Sequence, residues 1–252
     1  LEVRIDLALG ACYLLKEMYS QAYECFMDGV KLNQETVNDP HLQFYLDNNL
    51  LVLMMDTNND GDMISLGERL LSNVQTDLNR YYAYANIGVC HFTKEAFDTA
   101  LCYFDTAYNY CHSPIEKATI LNYQAQTQFA LGRYEEAVLV CDSVLRFLGT
   151  TDSEIRPKTL ILKGVLLSEL NKNDLALRYI DEGIDIARTA GFLATENMGL
   201  RNKCDLLFAL RRYEDYAYAT KQYTTVNDSV NRLNDIHRLH QLEAQHDLEM
   251  VK

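Results

Sequence analysis

The sequence predicts an all-α solenoid of about six antiparallel helix pairs followed by a long C-terminal helix. Three observations lead there. Helix-breaking residues are scarce, a skeleton of small and aromatic residues returns at regular spacing, and the tail from Leu200 onward contains no glycine or proline. Of 252 residues, 3 are proline and 11 glycine, and 48% are hydrophobic, which is ample for a core. Valine and isoleucine do not dominate, so the composition favours helices over sheet.

The skeleton is clearest in 84-YANIGVCHFTKEAFDTALCYFDTA-107, the third unit. Ile87, Gly88, His91, Phe97, Ala100, Phe104 and Ala107 carry it: a small residue, a ring three later, an aromatic six after that, then Ala, aromatic, Ala. The first unit repeats it as Leu9, Gly10, Tyr13, Tyr19, Ala22, Phe26 and Gly29. Within each half the marked residues stand three or four apart and share one helix face. Small residues let two helices cross closely, and the aromatics fill the space beside them.

The second unit is the most diverged. Here 43-QFYLDNNLLVLMM-55 reads as a first helix and 63-MISLGERLLSNV-74 as a second. Between them 56-DTNNDGDMISLGE-68 spells most of a calcium loop, with Asp56, Asn58 and Asp60 as the weak candidate ligands. A loop of the EF-hand kind needs a bidentate carboxylate at position 12. That position falls on Gly67, and Glu68 comes one residue late. Asn, Asp and Gly are also what a turn selects, so an ordinary turn is the expected reading and no metal is predicted.

The fourth unit carries Ala125, Gln128, Tyr134, Ala137, Cys141 and Val144, and the fifth Gly164, Leu167, Asn173, Ala176, Ile180 and Gly183. The sixth carries Cys204, Leu207, Tyr213, Tyr216, Thr220 and Tyr223. The recurring small residue falls at 100, 137 and 176, with Tyr216 in its place last, so the steps are 37, 39 and 40. Extra residues are expected in the second helices or in loops such as 112-HSPIE-116 and 149-GTTDSEIRP-157. Each unit cannot bury its apolar face alone, and stacking neighbours buries it. The tail from 223 reads as a long, increasingly polar helix that caps the stack or leads to another domain.

Other chemistry is excluded by charge and spacing. A net charge of −13 repels polyanions, so this segment is not expected to bind nucleic acid or an anionic membrane surface. The longest apolar run, 50-LLVLMM-55, is far short of the roughly 20 residues of a membrane span. Seven cysteines without a CxxC pair make neither a disulfide framework nor a zinc site. His237 and His240 are three apart, but His246 points elsewhere. Glu135 and Glu136 complement a helix dipole. No phosphate loop or nucleophile elbow occurs, so no enzyme is predicted and no cofactor.

These units resemble the tetratricopeptide repeat over nearly the whole chain to about residue 226, although that family's period is 34 residues. The resemblance implies a right-handed α–α superhelix over 1–226 and a capping or connecting helix over 227–252. It also implies that first helices line a groove that takes a protein or peptide. The groove positions carried over are Tyr82, Asn86, Phe92, Asn122, Gln126, Phe129, Lys158, Arg201, Asp205 and Phe208. The carboxylate clamp of one branch of the family, a Lys and Asn pair, meets Leu7, Ala11, Ala85 and Val89 here and is absent.

The tail is similar in texture to sensor regions of membrane-bound regulators of the Bacteroidetes, in which a histidine kinase or DNA-binding output follows a membrane helix. That likeness implies a sensory input region on the periplasmic side, reaching the membrane only through a segment downstream of Lys252. Both chain ends look cut, so a longer protein is expected. The alternative is a free-standing cytoplasmic scaffold; a homodimer is compatible with either.

Overall fold

The protein is described by a computed structural model that covers residues 1–57, 63–149 and 153–251, with side chains as far as 233. Among the described residues the chain is helical, without strands. The first two helices are α1 (Glu2–Leu15) and α2 (Tyr19–Leu32), followed by a π-helical turn, Asn33–Val37. Then come α3 (Pro40–Asp56), α4 (Met63–Ser72), α5 (Asp77–Thr93), α6 (Phe97–Tyr108), α7 (Pro114–Ala130) and α8 (Tyr134–Leu148). The last four are α9 (Ile155–Glu169), α10 (Asn173–Ala190), α11 (Leu193–Ala209) and α12 (Tyr213–Val251). The chain divides into two compact units, 1–111 with 237–252, and 112–236. The expected helix pairs are all present, the diverged second one included.

One backbone device closes the turn within five of the pairs. Glu17, Glu95, Gly132, Asn171 and Arg211 occupy the same place after the first helix, each with φ between 57° and 72°. The amide after each donates back to the carbonyl of Tyr13, His91, Gln128, Leu167 or Leu207, at 2.8 to 2.9 Å. This is the Schellman arrangement, which satisfies the last carbonyls of a helix. The carbonyl used belongs to the ring-bearing place of the repeat skeleton. Only one of the five left-handed residues is a glycine.

The crossing inside each pair is set by two facing positions. In the first unit, a Cβ built on Gly10 would lie 2.5 Å from Cε1 of Phe26; in the third pair, one on Gly88 would lie 2.6 Å from Cε1 of Phe104. Both rings are fully buried. In the fourth, fifth and sixth pairs the same places hold Ala125 with Cys141, Gly164 with Ile180 and Cys204 with Thr220, whose hydroxyl donates to the Cys204 sulfur at 3.8 Å. Where the first-helix residue is glycine the opposing residue is large, Phe or Ile, and where it is Ala125 the opposing residue is the smaller Cys141.

The second pair replaces that crossing with buried polar groups. Asp47 on α3 is fully buried and takes Arg69 of α4 through Nε at 2.8 Å and Nη2 at 2.6 Å. Gln43 donates to Asp47 at 2.8 Å, and Asn33 donates to Gln43 at 3.1 Å. The Asn33 side chain also closes on the Asp39 backbone through both its oxygen and its nitrogen. This chain of hydrogen bonds ties the π-helical turn to both helices of the pair. It also explains why the glycine and aromatic signature is missing there.

Three of the first helices, α3, α5 and α7, begin with side-chain caps. Thr76 caps α5, Asp39 caps α3 ahead of Pro40, and Ser113 and Glu116 form a capping box on α7. Of the stretch 112-HSPIE-116, expected as loop, His112 and Ser113 stand ahead of the helix and 114–116 form its first turn. The lengthening of the fifth unit lies in α10, 18 residues against 12 in α6. In the last pair Tyr216, in the small-residue place, is half-buried, and Ala219 fills the core instead. None of the described helices is long and apolar enough to cross a membrane.

Candidate functional site

In the unit 112–236 the first helices neighbour one another, α7 against α9 and α9 against α11. The sequence-predicted groove residues lie on them in stripes. On α7, Asn122, Gln126 and Phe129 follow at steps of four and three, one helix face. Asn122 is buried and accepts a hydrogen bond from Gln126 Nε2 at 3.0 Å, while the Phe129 ring lies 5.8 Å from that of Tyr134. On α9, Lys158 is exposed and reaches Glu154 at 3.1 Å. On α11, Arg201, Asp205 and Phe208 form one exposed stripe continuing from Met198. Phe208 is 59% exposed, with its ring 5.5 Å from Tyr216 and 6.3 Å from Tyr213.

Glu154, just ahead of α9, has its ionisation displaced. Burial pushes its carboxyl up, but the Thr195 hydroxyl, donating at 2.6 Å, and the Lys158 ammonium outweigh it. The carboxyl is held below its ordinary value, so Glu154 links α9 to α11 as an anion.

In the other unit, Tyr82 and Phe92 stand on α5, Tyr82 exposed and Phe92 half-buried against Phe97. Asn86 donates to Asn48 of α3 at 2.8 Å, so its amide holds two first helices together. The sequence reading missed an aromatic ladder on the same pair. The Arg80 guanidinium lies over Tyr110, whose ring stacks on Tyr84 at 5.9 Å; Tyr103 sits 6.3 Å from Tyr84 and stacks on His91 at 5.1 Å. Burial, and then Lys94, keep His91 below its ordinary pKa, favouring the neutral ring. Of the calcium candidates, Asp56 ends α3, with its carboxyl pushed up by burial and then by Glu17. Asn58 and Asp60 lie outside the described residues, as do the side chains of His237, His240 and His246.

A cleft of about 330 Å³ opens between α10, α11 and α12. Leu177 and Leu207 form its floor and Tyr218 one wall, and ion pairs flank it, Lys203 with Asp181 at 2.7 Å and Arg212 with Asp215 at 2.6 Å. No sequence motif marks it, because three helices contribute. An equivalent pair stands one repeat earlier: Lys163 donates to Asp142 at 2.5 Å and to the Tyr179 hydroxyl at 2.9 Å. Burial lowers that ammonium's pKa, but the bonds to Asp142 and Tyr179 outweigh it and hold it raised. These pairs join each first helix to the second helix before it, which is a stacking role.

No protein-family model matches the chain, and no curated protein does either. Solved structures do. Aspartyl phosphate phosphatase F of Bacillus subtilis is 11% identical with a TM-score of 0.70, over 81% of this chain and 55% of that one. A signal transduction ATPase with numerous domains from Pyrococcus horikoshii, which carries a tetratricopeptide repeat sensor, is 11% identical with a TM-score of 0.75, over 90% of this chain and 36% of that one. PilF of Pseudomonas aeruginosa is 13% identical with a TM-score of 0.64, over 89% and 91%. The chain thus spans about half the length of the Bacillus protein and about a third of the Pyrococcus one. At these identities the likeness is one of fold: the chain is built as a tetratricopeptide-like stack of helix pairs.

Proposed function

We propose that the chain is a non-catalytic module that binds a protein or peptide, and that the α7, α9 and α11 face receives it. The observation that carries this reading is the α11 stripe. An aromatic ring 59% exposed stands beside a cation and an anion on one helix face, away from the ion pairs that stack the repeats. Aromatic and arginine side chains are the groups that anchor interfaces. Gln126, held by the buried Asn122, and Lys158 supply hydrogen-bonding groups on the neighbouring first helices, suited to an extended backbone.

Selection of a displayed peptide library against residues 1–252 tests it. Enriched peptides are expected to lose at least about tenfold in affinity on Phe208→Ala or Arg201→Ala, each tenfold being about 1.4 kcal/mol. Retention of affinity in both variants sinks the groove assignment.

The biological setting that fits is sensory input to a signalling protein, as the Pyrococcus neighbour's tetratricopeptide repeats are described as a sensor. A free-standing scaffold fits the same surface. The gene beyond Lys252 separates the two: a membrane span or output domain supports the sensor, and a stop codon supports the scaffold.

A further inference from the structure

The outward face of the first helix pair is apolar, whereas the ends of repeat stacks are ordinarily polar. Ile5, Leu9 and Cys12 lie along one stripe of α1, at steps of four and three, and all are exposed, Ile5 by 52% and Leu9 by 42%. Helix α1 carries apolar residues on every face, the pattern of a helix covered on both sides.

The repeat register says what covers this stripe. Counted from the common turn, Ile5, Leu9 and Cys12 correspond to Ala83, Ile87 and Cys90 on α5, and to Thr159, Lys163 and Leu166 on α9. All six counterparts are buried. Ile87 lies against Gly67 of α4, so closely that a Cβ there would sit 2.6 Å from its Cγ1, and Lys163 reaches Asp142 of α8. In both cases the covering element is the second helix of the preceding pair. The stripe is thus the receiving half of the interface that joins one pair to the next.

We propose that the α1 stripe receives the second helix of a further helix pair, encoded by the same polypeptide ahead of Leu1. A second copy stacked head to tail is disfavoured by charge. At the place held by Asp142 and Asp181, α12 carries the exposed Lys221, whose ammonium would be buried against Leu9 without a partner. Opposite an apolar Leu9 the incoming helix needs a small residue, as Gly67 is small opposite Ile87. This inference is independent of the peptide-binding reading.

The test compares the natural polypeptide, from its initiator through Lys252, with residues 1–252. Cys12 is titrated with a maleimide under native conditions and read by peptide mass spectrometry. In the natural polypeptide Cys12 is expected to react about tenfold or more slowly than in 1–252. Leu9→Lys is expected to lower its Tm by roughly 2–4 °C or more while leaving that of 1–252 unchanged. Equal Cys12 reactivity in the two proteins overturns the proposal. So does protection that rises with concentration alongside dimerisation in ultracentrifugation of 1–252, which assigns the face to a second copy. A gene that starts at Leu1 overturns it as well.

Discussion

Gly88 on α5 lies beneath the ring of Phe104 on α6, so closely that a Cβ on the glycine would sit 2.6 Å from Cε1. The ring is fully buried and cannot yield to solvent. Gly88→Ala is therefore expected to destabilise: overpacking costs about 1–3 kcal/mol and the better helix propensity returns about 0.5–1. Combining it with Phe104→Cys mimics the Ala125 and Cys141 crossing of the fourth pair. The double variant is expected to be more stable than the sum of the single losses by about 0.5–3 kcal/mol. Urea denaturation followed by circular dichroism measures all four proteins, and strict additivity contradicts the crossing rule.

The salt bridge of the second pair is asymmetric. Asp47 is fully buried, whereas the Arg69 side chain is 47% exposed. Arg69→Met leaves a carboxylate buried with only Gln43, and a loss of about 3–5 kcal/mol is expected. Asp47→Leu lets Arg69 turn to water, so its cost is smaller. Equal losses from the two substitutions would mean that the carboxylate is better solvated than its burial indicates.

The left-handed turn residues offer a stabilising change. Glu95 and Arg211 carry φ of 59° and 58°, which costs a side-chain-bearing residue about 1–2 kcal/mol. Glycine relieves this and loses part of the gain to its flexibility in the unfolded chain. Glu95→Gly and Arg211→Gly are expected to raise the urea midpoint, and Gly132→Ala, with φ of 72°, to lower it. A lowered midpoint in the two glycine variants would refute the common-turn account.

Acid sensitivity follows from Glu154. Its carboxyl is held below the ordinary value in the fold, so its contribution is complete above the ordinary carboxylate range and lost as pH falls through the depressed value. Glu154→Gln is expected to flatten the acid limb of a Tm-against-pH profile relative to wild type and to leave the neutral-to-alkaline limb parallel. An unchanged acid limb would mean that Thr195 and Lys158 add nothing to the ionised form.

The helix pairs were legible in the sequence because the crossing is built from residues that announce themselves. Gly10 with Phe26 and Gly88 with Phe104 are extremes of size, and their spacing marks helix, turn and helix. The second pair was dim because its crossing is polar, and Asn33, Gln43 and Asp47 resemble surface residues until three elements close around them. The proposed groove residues were legible only as stripes. Phe208 is as exposed as a binding residue should be, but Asn122 is buried and Asn86 is committed to Asn48. The cleft beside Lys203 and the ladder through Tyr84 were invisible, because each joins residues of two or three neighbouring helices that no single helix-face pattern brings together.

Hydrogen exchange of residues 1–252, with and without a peptide selected against it, tests the binding surface most directly. Exchange is predicted to slow in α11 around Arg201, Asp205 and Phe208 and in α7 around Asn122 and Gln126, with α8 and α10 unchanged. Slowing confined to α10 and α12, around the cleft of Arg178 and Tyr218, would contradict the first-helix assignment.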